Sequence, residues 1–330
     1  MSTTAAVRSL KFWQALNEAL VEEMERDAAV VLVGQDVAAA GGTYGVTRGL
    51  ATRFGEARVR DTPISEAALA GLGVGSAAVG LRPIVEIMFF DFTTLAMDQI
   101  VQQAAKFRYF TSGRPLPVVF RTMCGAGAGM GAQHSQSLEA WFCHVPGLTV
   151  VMPSGPADAK GLLKSAIRLD DPVLFIETAA LLTARGDVPD VDDHLVPLGV
   201  ADVKLPGEDV TLVALGRYVD RALAAAEQLA GDGVSVEVVD PRTLQPLDLA
   251  TLLRSVRKTG RLVVAHEAPV PFGVGAEICA AVAEQAFDAL RAPVRRVGAP
   301  FTHVPVSQEL AELRVPSVDD IVAAVQATIR

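Results

Sequence analysis

Along the first half of the chain, short apolar runs rich in β-branched residues alternate with longer stretches whose apolar positions recur every three or four residues. The runs Val30–Gly34, Pro83–Met88, Pro117–Arg121, Leu148–Pro153 and Val173–Glu177 read as buried strands. Between them, Leu10–Arg26, Phe92–Arg108 and Ala157–Leu169 carry helical spacing. Strand alternating with helix predicts crossover units and a mostly parallel sheet. From about Leu181 to Gly207 the pattern lapses into Pro, Gly and Asp with no long apolar period. It then resumes with strands Val210–Leu215, Val234–Val239, Arg261–His266 and Pro293–Val297, and with helices near Arg221–Ala230, Leu247–Lys258 and Ala276–Leu290. The reading is α/β throughout, in two domains that are each a mostly parallel sheet flanked by helices: residues 1–190, a linker at 191–207, and residues 208–330.

Length agrees with this division, since 330 residues make two domains at about 150 residues each. Half the residues are apolar and only 5% aromatic, the palette of buried parallel strands. The 29 basic and 38 acidic residues give a net charge of -9, spread along the chain, which leaves no basic footprint for nucleic acid or anionic lipid. Ala67–Leu81 is 15 uncharged residues with four glycines, short of the ~20 that span a bilayer; it reads as a buried helix. The first residues hold no apolar core followed by a cleavage site, so a cytoplasmic location is expected. Cys124, Cys143 and Cys279 match neither a disulfide framework nor a zinc motif.

Two glycine-rich loops resemble phosphate cradles. Gly127-Ala-Gly129-Met-Gly131-Ala132 fits the looser dinucleotide pattern, but the next strand ends without the acid that would hold a ribose. Close helix packing is therefore expected of Gly71-Leu-Gly73-Val-Gly75, and a close approach of backbone to another group of the 125–131 loop. No P-loop occurs. Cys143 adjoins His144 and Cys124 lies ten residues before His134, yet nothing supplies an oxyanion hole or orienting acid, and small buried thiols are the favoured reading. His194 and His303 read as solvated, and no His, Asp or Glu set has zinc spacing.

Asp61-Thr-Pro-Ile64-Ser65-Glu66 carries more information. Ser65 is a candidate N-cap, and Glu66 in the first turn would favour the helix dipole. That ordinary role explains an acid here, but not the uncharged, glycine-punctuated helix that follows. Such a helix places Glu66 at a cleft wall, where a carboxyl can hold a heterocycle nitrogen or exchange protons. Phe89 and Phe90 read as core, and Phe92, past the end of a strand, as a wall of the same cleft. His134 lies between the glycine loop and an expected helix start.

Together these segments resemble the beta subunit of the thiamine-diphosphate-dependent decarboxylating component of 2-oxo acid dehydrogenase complexes, of the pyruvate, acetoin and branched-chain types. The resemblance covers nearly the whole chain. It rests on Gly34-Gln-Asp-Val37, Gly45-Val-Thr-Arg-Gly49, Asp61-Thr-Pro-Ile-Ser-Glu66, Phe90-Asp-Phe92 with Asp98-Gln-Ile100, Ala132-Gln-His-Ser-Gln136, His144-Val-Pro-Gly147, Asp158-Ala-Lys-Gly-Leu-Leu163, Asp240-Pro-Arg-Thr-Leu244 and Lys258-Thr-Gly-Arg-Leu262. It implies a pyrimidine-binding domain followed by a transketolase-type C-terminal domain. It puts Glu66 on the aminopyrimidine ring nitrogen, where a hydrogen-bonded carboxyl promotes the imino tautomer that deprotonates the thiazolium carbon. Phe92 then stacks near that ring, Ile64 and Met88 contribute to the same cofactor wall, and His134 stands near substrate and the lipoyl group. A potassium site would fall on Val118, Ala166, Ile167, Leu169 and Asp171.

The same families hold magnesium on the diphosphate with a Gly-Asp-Gly run and an Asn about thirty residues on. This chain has one asparagine, Asn17, and its Gly231-Asp-Gly233 precedes a strand of the second domain and reads as a turn. Half of the cofactor site is missing. An alpha subunit is therefore expected to supply it, magnesium included, in a heterotetramer with a second beta subunit, with a lipoyl acyltransferase as acceptor. Gln35 stands where the family usually has Glu, and Thr183 follows Leu182 where Tyr is common. Met88 and Phe92, in place of Gln and Tyr, lean towards pyruvate or acetoin enzymes. A two-subunit acyloin synthase or carboligase without lipoyl transfer fits the same features. A non-catalytic beta-like assembly subunit would not require Glu66 and His134.

Overall fold

The computed structural model of the protein describes residues 6–126, 129–191 and 193–329. The backbone forms two compact units, one of residues 6–124 with 141–198, the other of residues 125–140 with 199–329.

In the first unit the order is β1 (Val7–Lys11), α1 (Phe12–Arg26), β2 (Val30–Gly34), α2 (Leu50–Phe54), β3 (Val59–Asp61), α3 (Glu66–Ala78), β4 (Arg82–Ile87), α4 (Phe107–Phe110) and β5 (Val119–Cys124). After α5 (Glu139–Cys143) come β6 (Thr149–Val151), α6 (Pro156–Arg168), β7 (Val173–Thr178) and β8 (Arg185–Pro189). Six of these strands run parallel in the order β6-β7-β5-β4-β2-β3. Every residue of β5 and β7 is buried, as expected of parallel strands covered on both faces. The core joins Phe12, Leu16 and Leu20 of α1 to Leu162, Leu163 and Ile167 of α6 over Leu32, Ile84 and Phe175. Where these helices meet, the buried Lys160 and Lys164 are neutralised by Glu18, Glu22 and Asp193 at 2.7–3.0 Å.

The second unit continues with β9 (Asp202–Leu205), β10 (Val210–Ala214), α7 (Tyr218–Gly231), β11 (Val236–Asp240), β12 (Thr243–Gln245), α8 (Leu249–Thr259), β13 (Leu262–Pro269), α9 (Val274–Gln285), β14 (Arg295–Ala299), α10 (Gln308–Arg314) and α11 (Val318–Ile329). Its sheet has the order β14-β13-β10-β11-β9, parallel except for β9. The all-buried runs of β10 and β11 pack under Tyr218, Ala222 and Leu229 of α7 and under Ile321 and Val325 of α11. Gly231-Asp-Gly233 closes α7 as the expected turn, with Gly233 at φ +79°.

Several sequence expectations change. The 191–207 stretch, read as a linker, contains β9, and β8 just before it pairs antiparallel with β1. Both are short edge strands with exposed positions, so they lack the continuous apolar run that marks the buried strands. The helix expected over Phe92–Arg108 is broken into a 3-10 turn at Phe90–Ala96, a π-helical stretch at Asp98–Ala104 and α4. The Ala67–Leu81 helix is buried on one face only: α3 covers Leu69, Ala70, Gly73 and Ala77, while Leu72 is 47% exposed and Val79, just past its end, 82%. His194, read as solvated, is half-buried with Nε2 at 3.0 Å from the Ala157 carbonyl. Among the described residues no helix is long and apolar enough to cross a membrane.

Candidate active site

Ligands of open parallel sheets bind past the carboxyl ends of the strands, and there the first unit places Gln35 after β2, Ile64 and Glu66 after β3, and Met88 and Phe92 after β4. Asp61, ending β3, accepts hydrogen bonds from the Ala38 and Ala39 amides at 2.7 and 3.0 Å, which ties the loop after β2 to the start of the cleft. Ser65 occupies the N-cap of α3 without a side-chain capping bond, so Glu66 is the acidic group of the first turn. Glu66 is 5% exposed, and its Oε1 accepts a 3.4 Å hydrogen bond from the Gln35 amide. Ile64, two residues earlier, is 81% exposed and presents an apolar surface beside this buried acid.

α3 packs closely because it carries glycine where it meets the sheet. A Cβ at Gly73 would lie 2.4 Å from Val85 Cγ2 of β4, which is the close packing expected of that loop. The same helix packs on the 3-10 turn Phe90–Ala96 that holds Phe92. Phe89 and Phe90 are core, as expected, whereas Phe92 is half-buried and meets Phe89 edge-on at 5.9 Å. The irregular 3-10 and π turns that follow are forms frequent at functional sites.

Met88 lines a small cavity of about 20 Å³ together with Glu86, Arg121 and Glu177, room for about one water. Arg121, on β5, pairs with Glu86 of β4 and Glu177 of β7, each at 2.7 Å, and all three side chains are buried. Burial raises the Glu177 carboxyl above its ordinary value, with the Arg121 charge opposing the rise. The sequence gives no sign of this triad, because its members are joined only by strand order.

His134 belongs to the segment 125–140, which counts with the second unit. It does not start a helix: it follows a single 3-10 turn, Gly131–Gln133, and regular helix begins only at Glu139. Gly127 and Ala128, the start of the dinucleotide-like pattern, lie outside the described residues. The backbone approach expected of this loop is present at Gly125, where a Cβ would lie 2.9 Å from Glu267 Oε2, and at Gly131, where it would lie 2.6 Å from Val306 Cγ2.

The residues assigned to potassium gather where α6 ends beside the starts of β5 and β7, but their acceptors are engaged. The Val118 carbonyl accepts from the Val173 amide at 2.9 Å and that of Ala166 from the Leu169 amide at 3.2 Å. Arg82 donates to the Ile167 and Leu169 carbonyls at 2.8 and 2.7 Å. Asp171 pairs with Arg108. A guanidinium already in the carbonyl cluster opposes a second cation, so the set does not fit a potassium cage. Among the described residues no group of three or more His, Cys, Asp or Glu side chains could hold a metal ion. Asn17 uses its side-chain amide on the Val46 and Arg48 carbonyls, a structural tie for the 46–48 loop.

Buried titratable groups of the second unit that were not anticipated include Arg217, Glu267, Glu139 and His266. His266 Nδ1 lies 3.1 Å from the Ala268 carbonyl, and its Nε2 has no hydrogen-bond partner among the described residues. Burial pushes this histidine down to about 4, so it is neutral near pH 7. Burial pushes the Cys279 thiol up to about 11, consistent with an inert core thiol.

Comparison with known proteins adds to this geometry. Residues 8–184 match the transketolase pyrimidine-binding domain and residues 199–321 the transketolase C-terminal domain. The chain is 47% identical over 334 residues to the acetoin:2,6-dichlorophenolindophenol oxidoreductase subunit beta of Cupriavidus necator, covering 98% of each. It is 46% identical over 315 residues to the pyruvate dehydrogenase E1 component subunit beta of Rhizobium meliloti, covering 95% of this chain and 68% of that one. A solved structure described as a split gene transketolase, inactive beta4 tetramer, superposes with a TM-score of 0.79 at 28% identity, covering 96% of this chain and 97% of that one.

Proposed function

The chain belongs to the family that joins a transketolase pyrimidine-binding domain to a transketolase C-terminal domain, and from that premise we propose that it is the beta subunit of a thiamine-diphosphate-dependent 2-oxo acid or acetoin dehydrogenase. The cofactor, when bound, supplies the electron sink for cleavage next to a carbonyl carbon. The work of this chain is to hold and orient. Glu66 hydrogen-bonds the aminopyrimidine ring nitrogen and holds the proton there. Gln35 donates to Glu66 Oε1. Ile64, Met88 and Phe92 supply the apolar wall that excludes water from the ring. His134 serves the acyl acceptor.

The observation that carries this reading is Glu66, a buried carboxylate at a helix start with an exposed isoleucine beside it and, among the described residues, one weak side-chain hydrogen bond, from Gln35. An alpha subunit supplies the diphosphate and magnesium site, two beta subunits complete a heterotetramer, and a lipoyl acyltransferase takes the product. The exposed apolar residues on and beside α3, Leu72 and Val79, support assembly with another chain. The test reconstitutes the chain with its alpha subunit and reads reduction of an artificial electron acceptor with pyruvate and with acetoin, then acylation of a free lipoyl domain. Turnover with acylation is expected. Turnover without acylation of any lipoyl domain would favour a carboligase, and no turnover with either substrate would overturn the reading.

A further inference from the structure

One residue just after β5, Ala126, is held by both its backbone N–H and its backbone carbonyl. Glu267 Oε1 accepts the Ala126 amide at 2.5 Å, and Arg217 Nη1 donates to the Ala126 carbonyl at 3.4 Å. Arg217 and Glu267 are themselves an ion pair, Nε to Oε2 at 2.8 Å, and both are buried, at 7% and 5% exposure. Arg217 stands at the N-cap of α7, and Glu267 lies within β13. The clamp is thus built on the rigid core of the second unit. Ala126 is packed in a small apolar cluster with Val304, Ala311 and Val315.

The backbone is shaped for this contact. Gly125 has φ +96°, a region that other residues rarely adopt, and any Cβ there would meet the Glu267 carboxylate at 2.9–3.1 Å. Gly131, at φ +68°, makes a second close approach, to Val306. His134 follows three residues later. A buried ion pair that also hydrogen-bonds both backbone groups of one residue is more than a packing device, because an apolar pair of the same volume would leave that amide and carbonyl unpaired.

We propose that Arg217 and Glu267 are positioning residues that anchor the glycine loop and thereby set the place of His134 in the reaction. This rests on the functional reading for the role of His134, but not for the anchoring itself. Neither residue touches substrate in this account; each acts through Ala126.

Hydrogen exchange on the full chain, with mass-spectrometric readout, tests the anchor directly. Glu267→Gln removes the negative charge while keeping the size, and should speed exchange of the 124–137 segment by ~10-fold or more, leaving β10 and β11 protected as in wild type. Gly125→Ala keeps both charged residues but forces a Cβ against the Glu267 carboxylate, so the loop and the carboxylate must move apart and the same segment should respond. Unchanged exchange in both variants would overturn the proposal. So would uniform loosening of the whole second unit, which would make the pair a general support of the fold. The functional arm uses the complex with its alpha subunit: acylation of a free lipoyl domain should fall by roughly 10- to 100-fold, the scale of a misplaced group. Reduction of the artificial acceptor should hold to within a few-fold, and Arg217→Lys, which keeps the charge, should retain more acylation than Arg217→Met. If the loop loosens but acylation and acceptor reduction fall equally, the link to His134 is overturned. If wild type itself acylates nothing, the functional reading has failed while the exchange result still decides the anchor.

Discussion

The Gln35 side-chain amide donates to Glu66 Oε1 at 3.4 Å, and both side chains are buried. An amide donates an N–H to a carboxylate without competing for its proton, as a second carboxyl in that place would. Glu66 is thereby left as the acid of the pair. Glu66→Gln preserves shape and removes the acid. Assembly with the alpha subunit should survive, while turnover falls by ~100-fold or more if this group is the dominant acid/base contribution. Turnover equal to wild type would reduce Glu66 to a helix-start acid.

Arg121 offers a test of the sheet beneath the cleft. With its partners Glu86 and Glu177 at 2.7 Å and all three buried, Arg121→Met strands two carboxylates out of water. The expected loss of stability is about 3–5 kcal/mol. Both tryptophans, Trp13 and Trp141, lie in the first unit, so fluorescence-monitored urea unfolding reports that unit. A loss below about 1 kcal/mol would show that the triad is screened as a surface pair would be.

Glu139 sets a pH dependence in the second unit. Burial pushes its carboxyl up to about 7, with Glu267 adding repulsion, and its Oε2 has no hydrogen-bond partner among the described residues. A folded-state value above the ordinary 4.5 means that the folded chain binds the proton more tightly than the unfolded one. Stability is therefore undiminished near pH 4.5, declines as pH rises towards 7, and stays reduced above it, by roughly 3 kcal/mol if unrelieved. Glu139→Gln should stabilise the protein at pH 8 and do little at pH 5. Denaturation of both proteins at these two pH values checks the sign; an equal difference at both would contradict it.

Strands buried on both faces are legible in sequence because burial makes most of their positions apolar: Val30–Gly34 is recovered to the residue, and Val173–Glu177 to within one. β8 and β9 are not, since each is short, pairs at an edge, and mixes exposed with covered positions. Glu66 was legible through its neighbours, an acid opening an uncharged, glycine-bearing helix. Arg217 and Glu267 were not, because they lie 50 residues apart in sequence and meet Ala126 only through the fold. The glycines at 125 and 131 announced a close approach, but sequence could not say what they approach.

His134 separates the two enzymatic readings. If the complex feeds a lipoyl group, its acceptor must gain carbon and a proton together, and a half-buried histidine after the glycine loop is suited to place that proton. His134→Ala should damage acylation of a free lipoyl domain more than single-turnover decarboxylation read with an artificial acceptor. Equal loss in both would reassign the residue to substrate or cofactor binding.

The central claim is that this chain holds the pyrimidine half of a shared cofactor site. Calorimetric titration of thiamine diphosphate with magnesium, into the chain alone and into its complex with the alpha subunit, tests this most directly. The account predicts no tight magnesium-dependent binding to the chain alone and tight binding to the complex. Tight one-to-one binding to the isolated chain would contradict it.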